Sequence, residues 1–466
     1  MNTLMLAWRN LLRNRRRSLM TLIAMVLGLV AVLLFGGYIR DINYALRSDF
    51  VRQSGHLQIQ HSNYFRYGSG NPAAYGIAGY ERILKLVRND PVLAPMLVVA
   101  TPTLQFGGIA GNFAAGVSRT VYVTGSVVED QTRMREWNEY GLRRLSRPLS
   151  LSGTASDVAV IGTGVARVLQ LCDALGVADC AQTKADPDAA SGDALPADIA
   201  SLSDLGAPRP AAAAASGAAR IEILATTSRG APNVSAVTVQ RVELQGVKEL
   251  DDVYVGLHLA QAQKLIFGSA PPQVTAIAIQ LHNTARMPAA RARLEALLAG
   301  ELKGEPLEIL DYETLNPFYG QTLQMFVAIF GFVSVLIGGI VLFTVSNTMS
   351  MAVVERTAEI GTLRAIGLRR SGIRAMFVSE GIMLAGFGTV LGTACALALA
   401  WGINQLGLTW VPPARIEHVP LAVSLAGENA MMLAAAAGLV LVGALSAILP
   451  AARAARLNIV DALRHV

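Results

Sequence analysis

Long apolar runs recur four times along the chain. Residues 18–39, 314–354 and 429–452 carry no charge, and the third run, which follows Arg374 and ends at about Asn404, carries only Glu380. About 20 helical residues cross the hydrocarbon core of a bilayer, so each run predicts one transmembrane helix. The second run is about twice the length needed, and we expect its 316–324 end to project beyond the membrane. We expect Pro450 to close the fourth helix.

Between the first two runs the pattern changes to short alternating segments. Strands are predicted at 56–60, 120–124, 219–225, 235–243 and 274–281, and helices at 79–87, 164–171, 259–266 and 289–298. Strands interleaved with helices indicate an α+β layer structure.

Residues 181–219 do not follow this pattern. They contain 15 Ala, 4 Pro and 5 Asp, with no aromatic residue and no apolar periodicity. We interpret them as a mobile insertion in a loop, with capture of a partner as the alternative.

Composition agrees with a membrane protein. Of 466 residues, 53% are hydrophobic and 15% are charged, whereas soluble domains average about 25% charged. These figures exclude a soluble globule, a collagen, a disulfide scaffold, a coiled coil and a disordered chain.

The distribution of charge orients the four helices. Residues 41–317 hold 24 basic and 27 acidic residues, whereas the rest of the chain holds 15 and 6. The arginines lie before residue 18, in the 351–374 loop and in the tail, while the 405–428 loop has only Arg415. The positive-inside rule therefore places both termini and the 351–374 loop in the cytoplasm. The net charge of +6 reflects this orientation, and no nucleic-acid partner is expected.

The start of the first run could also be a secretory signal peptide. Its length and the absence of a small-residue cleavage site after Leu34 favour an uncleaved anchor.

Two of the three cysteines, Cys172 and Cys180, lie in the external segment, where a disulfide is permitted. One continuous helix would separate their Cα atoms by about 12 Å, too far to bridge. A chain reversal at Gly176 would bring them together. A structural disulfide and two buried free thiols are both consistent with the sequence.

The loop after the second run reads as a short amphipathic helix. Ile360, Leu363 and Ile366 recur at helical spacing, charged residues lie between them, and Gly367 suits a helix stop. By periodicity alone, this is a solvated helix at the membrane surface.

The residue identities point further. The sequence ERTAEIGTLRAIG at 355–367, with FVSEG at 377–381, resembles the coupling-helix signature of MacB/FtsX-type (type VII) ABC transporter permeases. The tail PAARAARLNIVDALR at 450–464 and the segment AWRNLLRN at 7–14 are similar to the closing and entry segments of that family. Residues 157–171 and 221–247 look more like the lipoprotein-releasing Lol permease branch than the macrolide exporters.

The expected fold class is an α-helical membrane protein with four transmembrane helices plus a large α+β periplasmic domain inserted between helices 1 and 2. The resemblance also implies the inner membrane of a bacterial cell. The expected segments are the entry and first transmembrane helix (1–40), the periplasmic domain (41–317), the second transmembrane helix (318–350), the coupling helix (351–371), the third transmembrane helix (372–404), a periplasmic loop (405–428), the fourth transmembrane helix (429–450) and a cytoplasmic tail (451–466).

The resemblance implies partners and a docking site. Two copies of a cytoplasmic ABC ATPase subunit would bind ATP and Mg, and this chain would bind no cofactor and no metal. A second permease chain, identical or related, membrane lipids and a periplasmic carrier or adaptor would complete the assembly. The residues implied to dock on the ATPase are Glu355, Arg356, Glu359, Ile360, Leu363, Arg364, Ala365 and Gly367.

Three residues within the third run stand out. Glu380 is a carboxylate inside a span, which is a functional hypothesis by default. We favour the structural alternative, a pair with Arg374 or a loop cap that fixes the coupling helix. Gly388 and Gly392 form a GxxxG spacing that permits close helix packing.

The sequence contains no GxxxxGK[ST], HExxH, CxxC or GxSxG motif, so we expect no catalytic residues and ATP hydrolysis in a separate subunit. The leading hypothesis is a permease that extrudes or extracts a lipoprotein or other amphipathic substrate. The alternative is an FtsX-like mechanotransmitter that activates a periplasmic partner without transport. An ion-coupled carrier is less favoured because only Glu380 is ionisable within the spans.

Overall fold

The computed structural model describes residues 15–68, 71–142, 148–177, 180, 219–411, 415, 418–425 and 427–458. The chain divides into two compact units. The helical unit comprises Met1–Ala45, Phe318–Trp410 and Val419–Val466, and the sheet unit comprises Leu46–Pro317 and Val411–His418. The predicted entry segment at 7–14 lies outside the described residues, as does the predicted insertion at 181–219 apart from Ala219, which begins a strand.

Four helices are long and apolar enough to cross a membrane within the described part of the chain. They are α1 (Arg15–Ser54), α10 (Pro317–Glu355), α12 (Arg370–Leu406) and α13 (Asn429–Arg456). The four predicted spans are therefore all helical. A short helix, α11 (Thr357–Ala365), follows α10.

The expectation that Pro450 closes the fourth helix is wrong, because α13 continues through it to Arg456. Proline removes one backbone donor. Beyond it, however, Ala451, Ala454 and Ala455 are buried against Phe377 and its neighbours, and this packing maintains the helix.

Glycines set the close contacts within the helical unit. A Cβ added at Gly388 would lie 3.0 Å from the Met25 Cβ, and one added at Gly392 would lie 3.0 Å from the Leu29 Cδ2. The predicted GxxxG thus packs on α1. At the α12–α13 crossing, a Cβ on Gly381 would lie 2.8 Å from the Gly443 carbonyl oxygen, a contact that the sequence analysis did not identify.

The described residues of the sheet unit form nine strands and several short helices. The strands are β1 (Leu57–His61), β2 (Leu97–Asn112), β3 (Val117–Ser126), β4 (Val158–Ile161), β5 (Ala219–Thr226), β6 (Pro232–Val242), β7 (Tyr254–His258), β8 (Ala276–Leu281) and β9 (Leu307–Asp311). The helices are α2 (Tyr64–Tyr67), α3 (Tyr80–Asn89), α4 (Val128–Glu136), α5 (Thr163–Val168), α6 (Lys248–Asp251), α7 (Leu259–Phe267), α8 (Met287–Ala299) and α9 (Tyr312–Leu315). A further two-stranded pair, β10 (Thr409–Trp410) with β11 (Val419–Pro420), lies in the helical unit.

The strand order is β3-β7-β4-β6-β5-β2-β8-β1-β9, and β2 also pairs with β3. These pairings close a ring of six strands, β2 to β7, while the first half of β2 extends into an open part of the sheet with β8, β1 and β9. The α+β prediction therefore captures the element types but not the closed ring. Buried aliphatic side chains of β3, β5 and β6 line one core with α7.

All five predicted strands and all four predicted helices of this unit are present. Four strands were not predicted: β2, β4, β7 and β9. The four residues of β4 are all buried, and strands buried on both faces lose the alternation that identifies a strand. Pro102 and three glycines interrupt the pattern of β2.

Candidate functional site

The candidate site is α11 and the charged residues around it. Between α10 and α11 the helix breaks at Arg356, whose φ and ψ are −105° and 19°. Past its end, Gly367 has a φ of +103°. The Gly367 N–H donates to the Arg364 carbonyl (3.1 Å) and the Leu368 N–H donates to the Leu363 carbonyl (3.0 Å). This is a glycine-terminated Schellman cap, so the predicted helix stop has a clear physical cause.

The inner side of α11 is apolar and fixed to the bundle. Ile360 is 1% exposed and Leu363 packs beside it. The cluster that receives them comes from α10, α12 and α13, and its buried members are Val353, Ile373, Met376, Phe377, Ala451, Ala454 and Ala455.

Charges bind both ends of α11 to other helices. Arg356 lies 3.5 Å from Glu380 of α12, and each side chain is 5% exposed. The preceding residue, Glu355, forms an ion pair with Arg17 of α1. At the other end, the Arg364 guanidinium donates to the Leu457 carbonyl. The expected pairing of Glu380 with Arg374 is therefore wrong, because the break at Arg356 places that guanidinium nearer.

The outer side of α11 is exposed. Of the eight residues implied to dock on a partner, Glu355, Glu359, Ala365 and Gly367 are exposed, and Leu363 and Arg364 are half-buried. For Arg356 and Ile360 the predicted docking surface is corrected. Both side chains are buried within this chain and do not form part of an accessible surface. Ile366, assigned to the apolar face, is 80% exposed. It lies in the helix cap, where the chain turns away from the apolar cluster.

A second polar cluster lies in the sheet unit, just after α1, and the sequence analysis did not identify it. The imidazole of His56 is fully buried. Its Nδ1 accepts from the Leu281 N–H (3.0 Å), and its Nε2 lies 3.1 Å from the Thr284 hydroxyl. The Thr284 hydroxyl donates to the Glu139 carboxylate (2.6 Å). Because a backbone N–H can only donate, Nδ1 carries no proton and Nε2 donates to Thr284.

The same cluster anchors the end of α1. Gln280 donates from Nε2 to the carbonyls of Val51 (3.2 Å) and Met134 (3.0 Å), and Arg52 donates to the Trp137 carbonyl (2.7 Å). Burial, with a contribution from the charge of Arg47, lowers the pKa of His56 from 6.5 to about 4. His56 is therefore neutral at pH 7.

The two external cysteines lie outside these two clusters. Cys172 and Cys180 are joined in a disulfide with Cα atoms 5.7 Å apart, and Gly176 between them has a φ of +60°, as the chain reversal requires. Among the described residues, no group of three or more His, Cys, Asp or Glu could hold a metal ion.

Comparison with known proteins identifies two domains. The model of the FtsX-like permease C-terminal domain matches residues 328–459, which include α11 and its cluster. The model of the MacB-like periplasmic core domain matches residues 18–177.

Individual proteins are also similar to this chain over part of their length. The lipoprotein-releasing system transmembrane protein LolC of Neisseria meningitidis is 25% identical over 244 residues, covering 50% of this chain and 56% of that protein. The macrolide export ATP-binding/permease protein MacB of Hyphomonas neptunium is 31% identical over 201 residues, covering 42% of this chain and 28% of that protein. The chain thus spans about half the length of the first relative and about a quarter of the second. A match to the solved periplasmic region of MacB from Actinobacillus actinomycetemcomitans covers 57% of this chain and 94% of the solved chain. The sequence identity is 10% and the TM-score is 0.29.

Proposed function

We infer the function from the matches of this chain to two domain models, the MacB-like periplasmic core domain and the FtsX-like permease C-terminal domain. We propose that it is the permease subunit of an ABC transporter in the bacterial inner membrane, with both termini in the cytoplasm. A separate ATPase subunit, in two copies, would bind ATP and Mg, and a second permease chain would complete the membrane part. The cargo would be a lipoprotein or another amphipathic molecule, handed over at the periplasmic face.

The observation that carries this proposal is the construction of α11. One side is fixed by Ile360 and the buried Arg356–Glu380 pair, while Glu359 and Ala365 remain exposed on the other. A helix attached to three long helices, with an exposed charged face, can transmit a push from a cytoplasmic subunit as a rigid-body movement. A merely solvated helix would not need such attachment.

The movement would reach the sheet unit through α1. This helix runs without interruption from Arg15 to Ser54. Arg17 near its first turn pairs with Glu355, and Arg52 in its last turn donates to Trp137. Displacement of α11 would therefore be passed along one continuous helix.

The same observation also fits a second candidate, a mechanotransmitter that moves no cargo and activates a periplasmic partner. A continuous helix with both ends fixed transmits force whether or not cargo is transported. Lipid-linked cargo that raises ATP turnover would support transport. A cell-wall hydrolase stably bound to the sheet unit would support the mechanotransmitter.

Purification of the tagged full chain from native membranes in mild detergent tests the common premise. A stoichiometric P-loop ATPase should co-purify, and Glu359→Lys should reduce its recovery about tenfold, because an interfacial charge is reversed. Leu363→Asp should have a similar effect by displacing α11.

The matched control is Glu249→Lys, the same charge reversal at an exposed position of the sheet unit, and it should leave recovery unchanged. Equal ATPase recovery and ATP turnover in the wild type, Glu359→Lys and Leu363→Asp would overturn the docking assignment.

A further inference from the structure

The loop between α12 and α13 contributes a segment to the sheet unit. Residues Val411–His418 group with that unit, although the chain on either side groups with the helical unit. Within this segment the Arg415 Nη2 donates to the Asp49 Oδ2 at 2.7 Å, and the two side chains are 17% and 19% exposed. Asp49 lies on α1, near its end. The loop thus holds the same helix that the His56 cluster holds.

Arg415 also contacts the segment that follows β6 of the six-stranded ring. Its backbone forms an antiparallel bridge with Val247, and the Val247 carbonyl accepts from the Asp251 N–H at 2.9 Å. The Asp251 carboxylate is buried and accepts from the N–H groups of Gln245 (3.2 Å) and Gly164 (3.1 Å). Val247 therefore belongs to a segment firmly bound to the ring.

The segment that leads from this loop back to α13 is also held by hydrogen bonds. Asn404 of α12 exchanges two hydrogen bonds with the backbone of Val423, at 2.8 and 3.0 Å. The Ser424 N–H donates to the Gly37 carbonyl at 3.1 Å. These three hydrogen bonds anchor the loop to α12 and α1 near its return to α13.

We propose, building on the function inferred above, that Arg415 is a positioning residue that ties the outer end of α1 to the six-stranded ring. Through its side chain it holds Asp49, and through its backbone it holds Val247. A displacement of the outer end of α1 then moves the ring together with the open part of the sheet. This tie adds to the hydrogen bond from Arg52 to the Trp137 carbonyl, which joins the end of α1 to the segment after α4.

The test uses the full chain with its co-purified ATPase in detergent, and hydrogen exchange read by mass spectrometry. Arg415→Ala should speed exchange about tenfold in residues 411–418 and 245–252, since a charged, half-buried hydrogen bond is lost. Residues 421–425 should not change. Arg415→Lys should restore part of the protection, and the swap of Asp49→Arg with Arg415→Asp should restore most of it.

The coupling role is read from the effect of ATP with vanadate on exchange in β6 of the ring. We expect a clear nucleotide effect in the wild type, a several-fold smaller one in Arg415→Ala with ATP turnover within twofold, and recovery in the swap. A full nucleotide effect in Arg415→Ala would overturn the positioning role and leave the transporter assignment intact. No ATPase and no nucleotide effect in the wild type would instead overturn the proposed function, and with it the coupling role.

Discussion

Two clusters bury polar groups, one near α11 and one near the end of α1, and they are built differently. Near α11, Arg356 and Glu380 are opposite charges 3.5 Å apart in an apolar setting. Near the end of α1, His56 is neutral, and each ring nitrogen has a defined partner at 3.0 or 3.1 Å. The first cluster depends on charge and the second on directional hydrogen bonds.

This difference separates two mechanical roles. Hydrogen bonds weaken steeply when their geometry changes, so the His56 cluster resists displacement and acts as a rigid joint. Coulombic attraction falls slowly with distance, so the Arg356–Glu380 pair can persist while α11 shifts. We therefore expect the cluster around Arg356 and Glu380 to accommodate movement and the His56 cluster to transmit it.

The largest expected effect comes from removing one charge of the Arg356–Glu380 pair. Glu380→Leu or Arg356→Met alone takes the paired opposite charge away from a buried side chain, which should lower the free energy of unfolding by about 3–5 kcal/mol. The double variant should be nearly as stable as the wild type, because two apolar side chains of similar size replace the pair. Thermal denaturation of the full chain in one detergent measures all three.

The control is Glu355→Gln, which breaks the adjacent pair with Arg17. Those side chains are 24% and 42% exposed, so the loss should stay below about 1 kcal/mol. If the double variant were as unstable as the single ones, the pair would contribute net stability and the account of a tolerant charge contact would fail.

The second effect tests the His56 cluster through the pH dependence of stability. The pKa of His56 is about 4 in the folded chain and 6.5 when exposed, so between these values the unfolded chain binds the extra proton. Stability should therefore be complete above pH 6.5 and fall as pH drops towards 4, by about 3 kcal/mol at most. Denaturation at pH 7 and pH 5, followed by the fluorescence of Trp137, whose ring lies 5.1 Å from the imidazole, measures the loss.

The variant His56→Gln should flatten this dependence between pH 7 and 5 because no group with that pKa remains at the site. Acid sensitivity below pH 4 should persist. There the Arg293 guanidinium, hydrogen-bonded to Asp90, lowers the pKa of that carboxyl, so its contribution is lost only at lower pH. An unchanged slope in His56→Gln would show that another group controls the response.

Sequence patterns revealed the spans because length and lack of charge suffice to identify a membrane helix. They also predicted the alternating strand β5, where buried and exposed residues strictly alternate. They could not predict the ring, because its closure depends on β2 pairing with β3, β5 and β8 at once. Such pairing is a property of register between distant segments, which local periodicity does not encode.

The candidate site shows the same limit. Helical spacing correctly placed Ile360 on an apolar face, and a glycine at 367 correctly predicted the helix stop. The partner of Glu380 was assigned by proximity in sequence, yet the structure pairs it with Arg356, across a helix break. His56 carried no signal, because a single histidine after a membrane helix has no distinctive spacing.

The smallest expected effect tests whether the Arg356–Glu380 pair depends on the close approach of the α12 and α13 backbones. Gly381 follows Glu380, and an added Cβ would lie 2.8 Å from the Gly443 carbonyl oxygen and 2.9 Å from the Ala447 Cβ. Gly381→Ala should therefore separate α12 from α13 and cost about 1–3 kcal/mol. The thermal midpoint of the full chain in detergent measures it.

The matched variant is Gly338→Ala on α10, where no described atom lies within 4 Å of an added Cβ. It should cost nothing, since alanine is the better helix former. If the charge pair tolerates displacement, combining Gly381→Ala with Glu380→Leu and Arg356→Met should give additive losses. A combined loss well below the sum would mean that the crossing and the pair act as one rigid unit, and the contrast with the His56 cluster would no longer apply.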